Sequence, residues 1–387
     1  MNSWRGSARR WVAIAVALVF PAFTGCAGFF PPINNSGGGG STTAGNQIYI
    51  ANQAVNSIGG FIIGSTAATL TAVNGTPLTE TYKAISMVVT PNNALLYVGA
   101  ATGVFVYFIN SNGAITAPAT GPQPAGVFAT AMTVSPDGQW LIVLDGTTQQ
   151  LDIFQINYTT GALTSLTAPA TYAIQSGTWQ PSDLRISADG TLIFAAVGTG
   201  GDFVFTFNTA TGVAASSQYL ATGDAATGDY GLAVNANKTY LYIARSGTKG
   251  GVAVYSIGTA GALTPVTGSP FTAGSGTVSV ALDSTGTYAY AANRTDGTIS
   301  GFTIVPGTTP SALSLTPLSG SPYVSGTSVN SIGIDKTGKY LLAAAIGGDP
   351  DLTMYSFDIA VPGKLVSATS VATGVDPAGA VALALTH

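Results

Sequence analysis

The chain has 387 residues, of which only 7% are charged, with 50 glycines, one cysteine, one histidine and a formal net charge of −4. That balance excludes nucleic acid as a partner, because phosphate binding needs a concentrated basic surface, and a lone cysteine excludes an intramolecular disulfide framework. Gly, Thr, Ala and Val outweigh Glu, Lys and Arg, which suits short strands and tight turns and gives long helices little support, so the expectation is an all-β protein.

The first segment reads as an export signal: a basic stretch from Met1 to Arg10, an apolar stretch from Trp11 to Phe23, then Phe23-Thr24-Gly25-Cys26. The apolar stretch is short and is broken by Pro21, which argues against a membrane-spanning helix. Cys26 resembles the acylated cysteine of a bacterial lipoprotein signal, although Phe23 stands where that motif usually has Leu. The resemblance implies cleavage after residue 25, lipid attachment to Cys26 and anchoring to the cell envelope on its periplasmic or cell-surface side; ordinary secretion is the alternative. Residues 26–45, with Pro31-Pro32 and Gly37-Gly38-Gly39-Gly40, cannot bury a core and read as a flexible tether.

From residue 46 onward one unit recurs. Six segments align on a turn, beginning at Thr90, Ser135, Ser187, Asn235, Asp283 and Asp335, with Ser135-Pro-Asp-Gly-Gln-Trp-Leu-Ile-Val as a clear copy. The anchors lie roughly 45 to 52 residues apart, the spacing of four-stranded propeller blades. Each unit predicts a strand a before the turn, b after it, then c and d, with Asp-Gly and Thr-Gly pairs supplying turn chemistry. Val381-Ala-Leu-Ala-Leu supplies a strand a with no b after it, and Gln47-Ile-Tyr-Ile-Ala-Asn52 a strand b with no a before it. The two halves are expected to pair into a split blade, which closes a seven-bladed β-propeller over 46–387 and removes its free sheet edges.

Leu241-Tyr-Ile-Ala, Asn293 after Tyr-Ala-Ala, Ser135-Pro-Asp-Gly and Gly261-Ala-Leu-Thr resemble the YVTN-type propellers and the lactonase family that includes propeller-type 6-phosphogluconolactonases. The resemblance spans nearly all of 46–387 and implies lactone hydrolysis, with histidine, arginine and glutamate at the channel mouth. This chain departs from it. Its only histidine is His387 and its only glutamate is Glu80, so no catalytic histidine carries over. The glutamate of calcium-dependent lactonase propellers also has no counterpart, and no metal site is assigned. Gly198-Thr-Gly-Gly falls between strands rather than before a helix, so it is no nucleotide fingerprint and no cofactor is expected.

Candidate chemistry comes from positions that break the repeat. Two residues before each anchor, only Arg185 is charged; four before, only Asp183. This predicts a carboxylate and guanidinium pair beside the channel in blade four. At the ends of the b strands, Asp145 and Arg245 depart from the Asn expected there, as at Asn52 and Asn293. Arg294, Lys249, Asp296 and Asp202 fall on the same face, making a polar mouth. Trp179, Tyr82 and Tyr230 are placed in d–a connections, where they could stack on a sugar or lactone ring. Each has a plainer reading: Asp183 and Arg185 neutralise one another and plug the channel, Asp145 and Arg245 are solvated strand ends, and the aromatics cap blade interfaces.

Two functions stay open, beside a third possibility of a structural module in an envelope assembly with no small-molecule site. One is hydrolysis of a lactone or related ester, with Arg185 or Arg245 stabilising the oxyanion and Asp183 or Asp145 orienting water. The other is a non-catalytic surface propeller that binds an envelope protein or glycan through the same mouth. The ring is expected to be monomeric.

Overall fold

The computed structural model describes residues 45–117, 121–124, 126–166, 170–171, 177–348, 350–374 and 378–387. The expected signal peptide, Cys26 and the tether up to residue 44 lie outside the described residues.

Seven antiparallel sheets of four or five strands surround one axis. The inner strand of each blade neighbours that of the next, and the seventh neighbours the first. Numbered from the split blade, blades 1 to 7 have inner strands Ala380–Leu385, Ser86–Val89, Ala129–Val134, Asp183–Ile186, Thr227–Val234, Thr277–Leu282 and Val329–Ile334. The ring closes as the sequence predicts: Ala380–Leu385 pairs antiparallel with Gln47–Asn52, in the register Ile48 to Leu385 and Ile50 to Leu383. Thr386 clasps the joint, its backbone N–H donating to the Gln47 carbonyl at 3.0 Å and its hydroxyl accepting from the Gln47 N–H at 2.9 Å.

The second strands read as continuous apolar runs because both faces are covered by adjacent blades. Leu95–Ala100 and Trp140–Asp145 are buried at every residue. Each large apolar side chain fully buried in this way contributes about 1.5–3 kcal/mol. Blades also lock by hydrogen bonds: the hydroxyls of Tyr49, Tyr97 and Tyr290 donate to the carbonyls of Gly113, Gly161 and Gly363 in the c–d turn of the next blade. The recurrent Gly-Ala-Leu-Thr turn supplies such a contact point; a Cβ on Gly261 would stand 2.7 Å from Val204 Cγ1.

The repeated a–b turn has one cause throughout. The anchor side chain accepts from the backbone N–H five residues on, as Ser135 from Trp140 at 3.0 Å, Asn235 from Tyr240 at 2.8 Å and Asp335 from Tyr340 at 2.7 Å. That is why the anchor is always Ser, Thr, Asn or Asp. The fourth residue has positive φ, a conformation glycine adopts without steric cost: +74° at Gly138 and +68° at Gly338, with Asn93 and Lys238 standing there in two repeats.

Candidate functional site

The axis is hollow at the face where the b–c and d–a connections lie. A cavity of about 410 Å³ opens there, lined by Asp183, Arg185, Tyr230, Arg294 and Asn330 among others. Its shape depends on a bulge in the inner strands. In blades 1, 3, 5, 6 and 7 the pairing of strand a with strand b skips one residue. The skipped residues are Val381, Thr130, Tyr230, Val278 and Asn330, and all five line the cavity. A bulge leaves its extra residue unpaired and re-aims the side chain, so the residue that strict alternation would turn away from the axis faces it. Ile85 and Ser182 occupy the corresponding places in blades 2 and 4.

Asp183 and Arg185 come together as expected. The Arg185 Nε donates to Asp183 Oδ2 at 3.2 Å and to the Leu232 carbonyl at 3.1 Å. Asp183 Oδ2 also accepts from the Leu232 N–H and Oδ1 from the Leu184 N–H, both at 2.8 Å. The pair thus stitches the inner strand of blade 4 to that of blade 5. Burial raises the Asp183 carboxyl, while Arg185 and the two backbone N–H groups pull it back down. The Arg185 side chain remains 50% exposed, so a guanidinium borders the channel. Arg294 joins it at the mouth, its Nη2 donating to Asn330 Oδ1 at 2.6 Å, and burial draws this guanidinium down. Among the described residues the cavity walls therefore hold two cations and one carboxylate, in a chain of net negative charge.

Other residues placed at the mouth by sequence do not line the cavity. Asp145 is buried and holds the b–c turn of blade 3, its Oδ1 accepting from the Thr147 N–H and hydroxyl at 2.7 Å each. Together with burial, which is the larger cause, it pushes the nearby Asp152 carboxyl up to about 6. Arg245 is also buried and lies flat on Asp229, with Nε to Oδ1 and Nη2 to Oδ2 both 2.7 Å. Lys249 forms a partly exposed pair with Asp224 at 3.8 Å. Asn52 and Asn293 bind backbone and hydroxyls: Asn52 Nδ2 donates to the Thr373 carbonyl at 3.0 Å, and Asn293 Oδ1 accepts from the Gly274 N–H at 3.1 Å. Asp296 Oδ2 accepts from the Ser275 N–H at 2.5 Å.

The aromatics divide. Trp179 packs into the apolar cluster between blades 3 and 4 and donates from Nε1 to the Asp145 carbonyl at 3.2 Å. Tyr82 stacks on Phe105 with ring centroids 3.6 Å apart and shares a hydrogen bond with the Tyr107 hydroxyl. Tyr230 is the correction: it belongs to the inner strand, not to the d–a connection, and its bulge position puts it on the cavity.

Asp229 was not legible as a functional residue. It lies fully buried one residue before Tyr230, beside Asp202, which is 2% exposed. Neither carboxyl oxygen of Asp202 meets a hydrogen-bond partner among the described residues. Burial first, then the Asp229 charge, push the Asp202 carboxyl well above its ordinary value. A second carboxyl in a dry site favours the protonated form of Asp202, while Arg245 pairs with Asp229. Among the described residues no acidic or histidine cluster suited to a metal ion occurs.

A model of the family described as "Lactonase, 7-bladed beta-propeller" matches residues 197–377, a little under half of the chain. Nothing among curated proteins matches it in sequence. Of solved structures, a "putative 6-phosphogluconolactonase" from Bacteroides uniformis superposes with a TM-score of 0.72 at 17% identity, covering 88% of this chain and 99% of that one. The periplasmic gluconolactonase of Pseudomonas aeruginosa gives 0.69 at 16% identity, covering 88% and 99%. A second protein described as a "putative 6-phosphogluconolactonase", from Bacteroides fragilis, gives 0.69 at 16%, covering 90% and 100%. The shared feature is the fold, a lactonase-like seven-bladed propeller.

Proposed function

We propose that this chain is an exported lactone hydrolase of the cell envelope, anchored through lipid on Cys26, that binds its substrate in the upper half of the axial channel. The observation that carries the reading is the placement of Arg185 and Arg294 on one cavity, in a fold shared with proteins described as gluconolactonases. Water attacks the lactone carbonyl carbon, and Arg185 and Arg294 stabilise the oxyanion that forms. Asp183, raised by burial and with Oδ1 accepting a single bond from Leu184, takes the proton from the attacking water. The ring C–O bond then breaks and the proton passes to the leaving alkoxide, giving the open hydroxy acid.

One observation favours a second reading, a propeller that binds without turnover: Asp183 already accepts from Leu184, Leu232 and Arg185, which lowers its basicity. A pH-indicator screen of γ- and δ-lactones separates the two, run beside an Arg185→Ala, Arg294→Ala variant shown to fold by circular dichroism. Turnover that falls at least about 100-fold in the variant, as for loss of oxyanion donors, supports the hydrolase. No turnover on any lactone sinks it in favour of binding. The anchor has its own test: a radiolabelled fatty acid should enter the wild-type chain and be absent from Cys26→Ser.

A further inference from the structure

Below the mouth the channel changes character. Its lower half, about 370 Å³, runs toward the a–b turns and is walled by Val88, Ile186, Leu232, Val280, Ile334 and Leu385. The small residues Ala233, Ala281, Gly333 and Ala384 leave this space open; a Cβ on Gly333 would stand 2.8 Å from Leu385 Cδ1. Arg185 and His387 are the only ionisable side chains on its wall among the described residues. Burial draws the His387 imidazole below its ordinary value, leaving it neutral at pH 7. The two halves share Met87, Arg185, Ser331 and Leu383, so they meet at a waist that carries one guanidinium.

A cationic, hydroxyl-rimmed upper chamber joined to an apolar lower one, each of ordinary ligand-pocket size, matches a molecule with a polar head and a hydrocarbon tail. A polar sugar lactone would leave the lower chamber unused. We infer that the channel takes an amphiphile: the lactone ring, or the carboxylate of the opened product, lies at Arg185 and Arg294, and a linear aliphatic chain runs into the lower half. This narrows the substrate to lactones bearing an alkyl chain. The head group rests on the hydrolase reading above; the tail rests on the lower chamber alone.

The test is a homologous series, δ-valerolactone and δ-lactones carrying linear alkyl chains of three, five and seven carbons, assayed with the purified full chain. Each added methylene should raise kcat/KM about threefold to fourfold until the chamber is full. Ala233→Phe and, separately, Ala281→Phe should flatten that slope by filling the chamber. Turnover independent of chain length would overturn the tail while leaving the hydrolase intact. If no lactone is hydrolysed, calorimetry with linear carboxylates from hexanoate to dodecanoate decides the tail by itself. Affinity that climbs with length and is lost in Ala233→Phe supports the amphiphile channel, and no binding of any of them overturns it.

Discussion

The junction between blades 4 and 5 differs in kind from the other junctions of the ring. Most are sealed by apolar clusters and by neutral bonds such as Tyr290 to the Gly363 carbonyl. The 4–5 junction has an apolar cluster as well, but it also carries Asp183 and Arg185 in one set of polar contacts and Asp202, Asp229 and Arg245 in another. Its backbones also bridge directly, with Gly198 and Asp229 exchanging N–H to carbonyl bonds at 2.9 and 3.1 Å. Since, among the described residues, the other junctions close without a buried ion pair, the fold does not require one here. Charged groups concentrate in the one junction whose inner strands border the channel with a guanidinium, and a buried ion set is a costly way to join two sheets.

That contrast can be broken most severely at an apolar junction. Deleting Val381–His387 removes most of the inner strand of blade 1 and exposes the edge of Gln47–Asn52; the ring should lose its cooperative thermal transition, and an unchanged melting curve would refute the closure. Next comes Arg245→Met, which strands Asp229 and Asp202 in a dry site. A loss of about 3–5 kcal/mol in urea denaturation is expected, and a value under about 1 kcal/mol would mean that the pair is solvated.

Asp202→Asn probes the raised Asp202 carboxyl. The folded pKa of Asp202 lies above its unfolded value of about 3.9, so the stability contributed by the protonated acid is complete below about pH 4 and is lost as pH rises through the folded pKa. Asparagine keeps a donor toward Asp229 at every pH. The variant should therefore show a flatter stability profile above about pH 4 than the wild type, and parallel profiles would rule out a raised Asp202 carboxyl. The smallest effect belongs to Tyr290→Phe, which deletes one neutral bond and should cost about 1 kcal/mol, measured by the same denaturation.

The sequence made the ring legible because its determinants are local and repeated. The anchor side chains Ser135, Asn235 and Asp335 cap the same turn, and the b-strand residues Asn52 and Asn293 bind the neighbouring connection. The split blade followed from counting strands against those anchors. The mouth was only half legible. Asp183 and Arg185 stood out because they fall where alternation from the anchor still holds. Thr130 and Asn330 did not, and Tyr230 stood out only as a residue of a d–a connection, because the bulge inserts one residue and shifts the phase beyond it. Arg245 and Asp145 were placed at the correct strand ends, but sequence does not show that Asp229 and the Thr147 turn already occupy them. Asp202 was assigned to the polar face; its burial against a second carboxyl depends on packing between blades that no single repeat encodes.

The bulge also gives this protein a form of modularity. At a bulge the extra residue takes no part in the ladder, so its identity does not set how the strands align. In five blades that residue is at once free of the ladder and turned to the axis, as Val381, Thr130, Tyr230, Val278 and Asn330 show. Each blade therefore presents one spoke that can be rewritten without renegotiating its own sheet, and the lining of the hub can change one position at a time while the wheel keeps its shape.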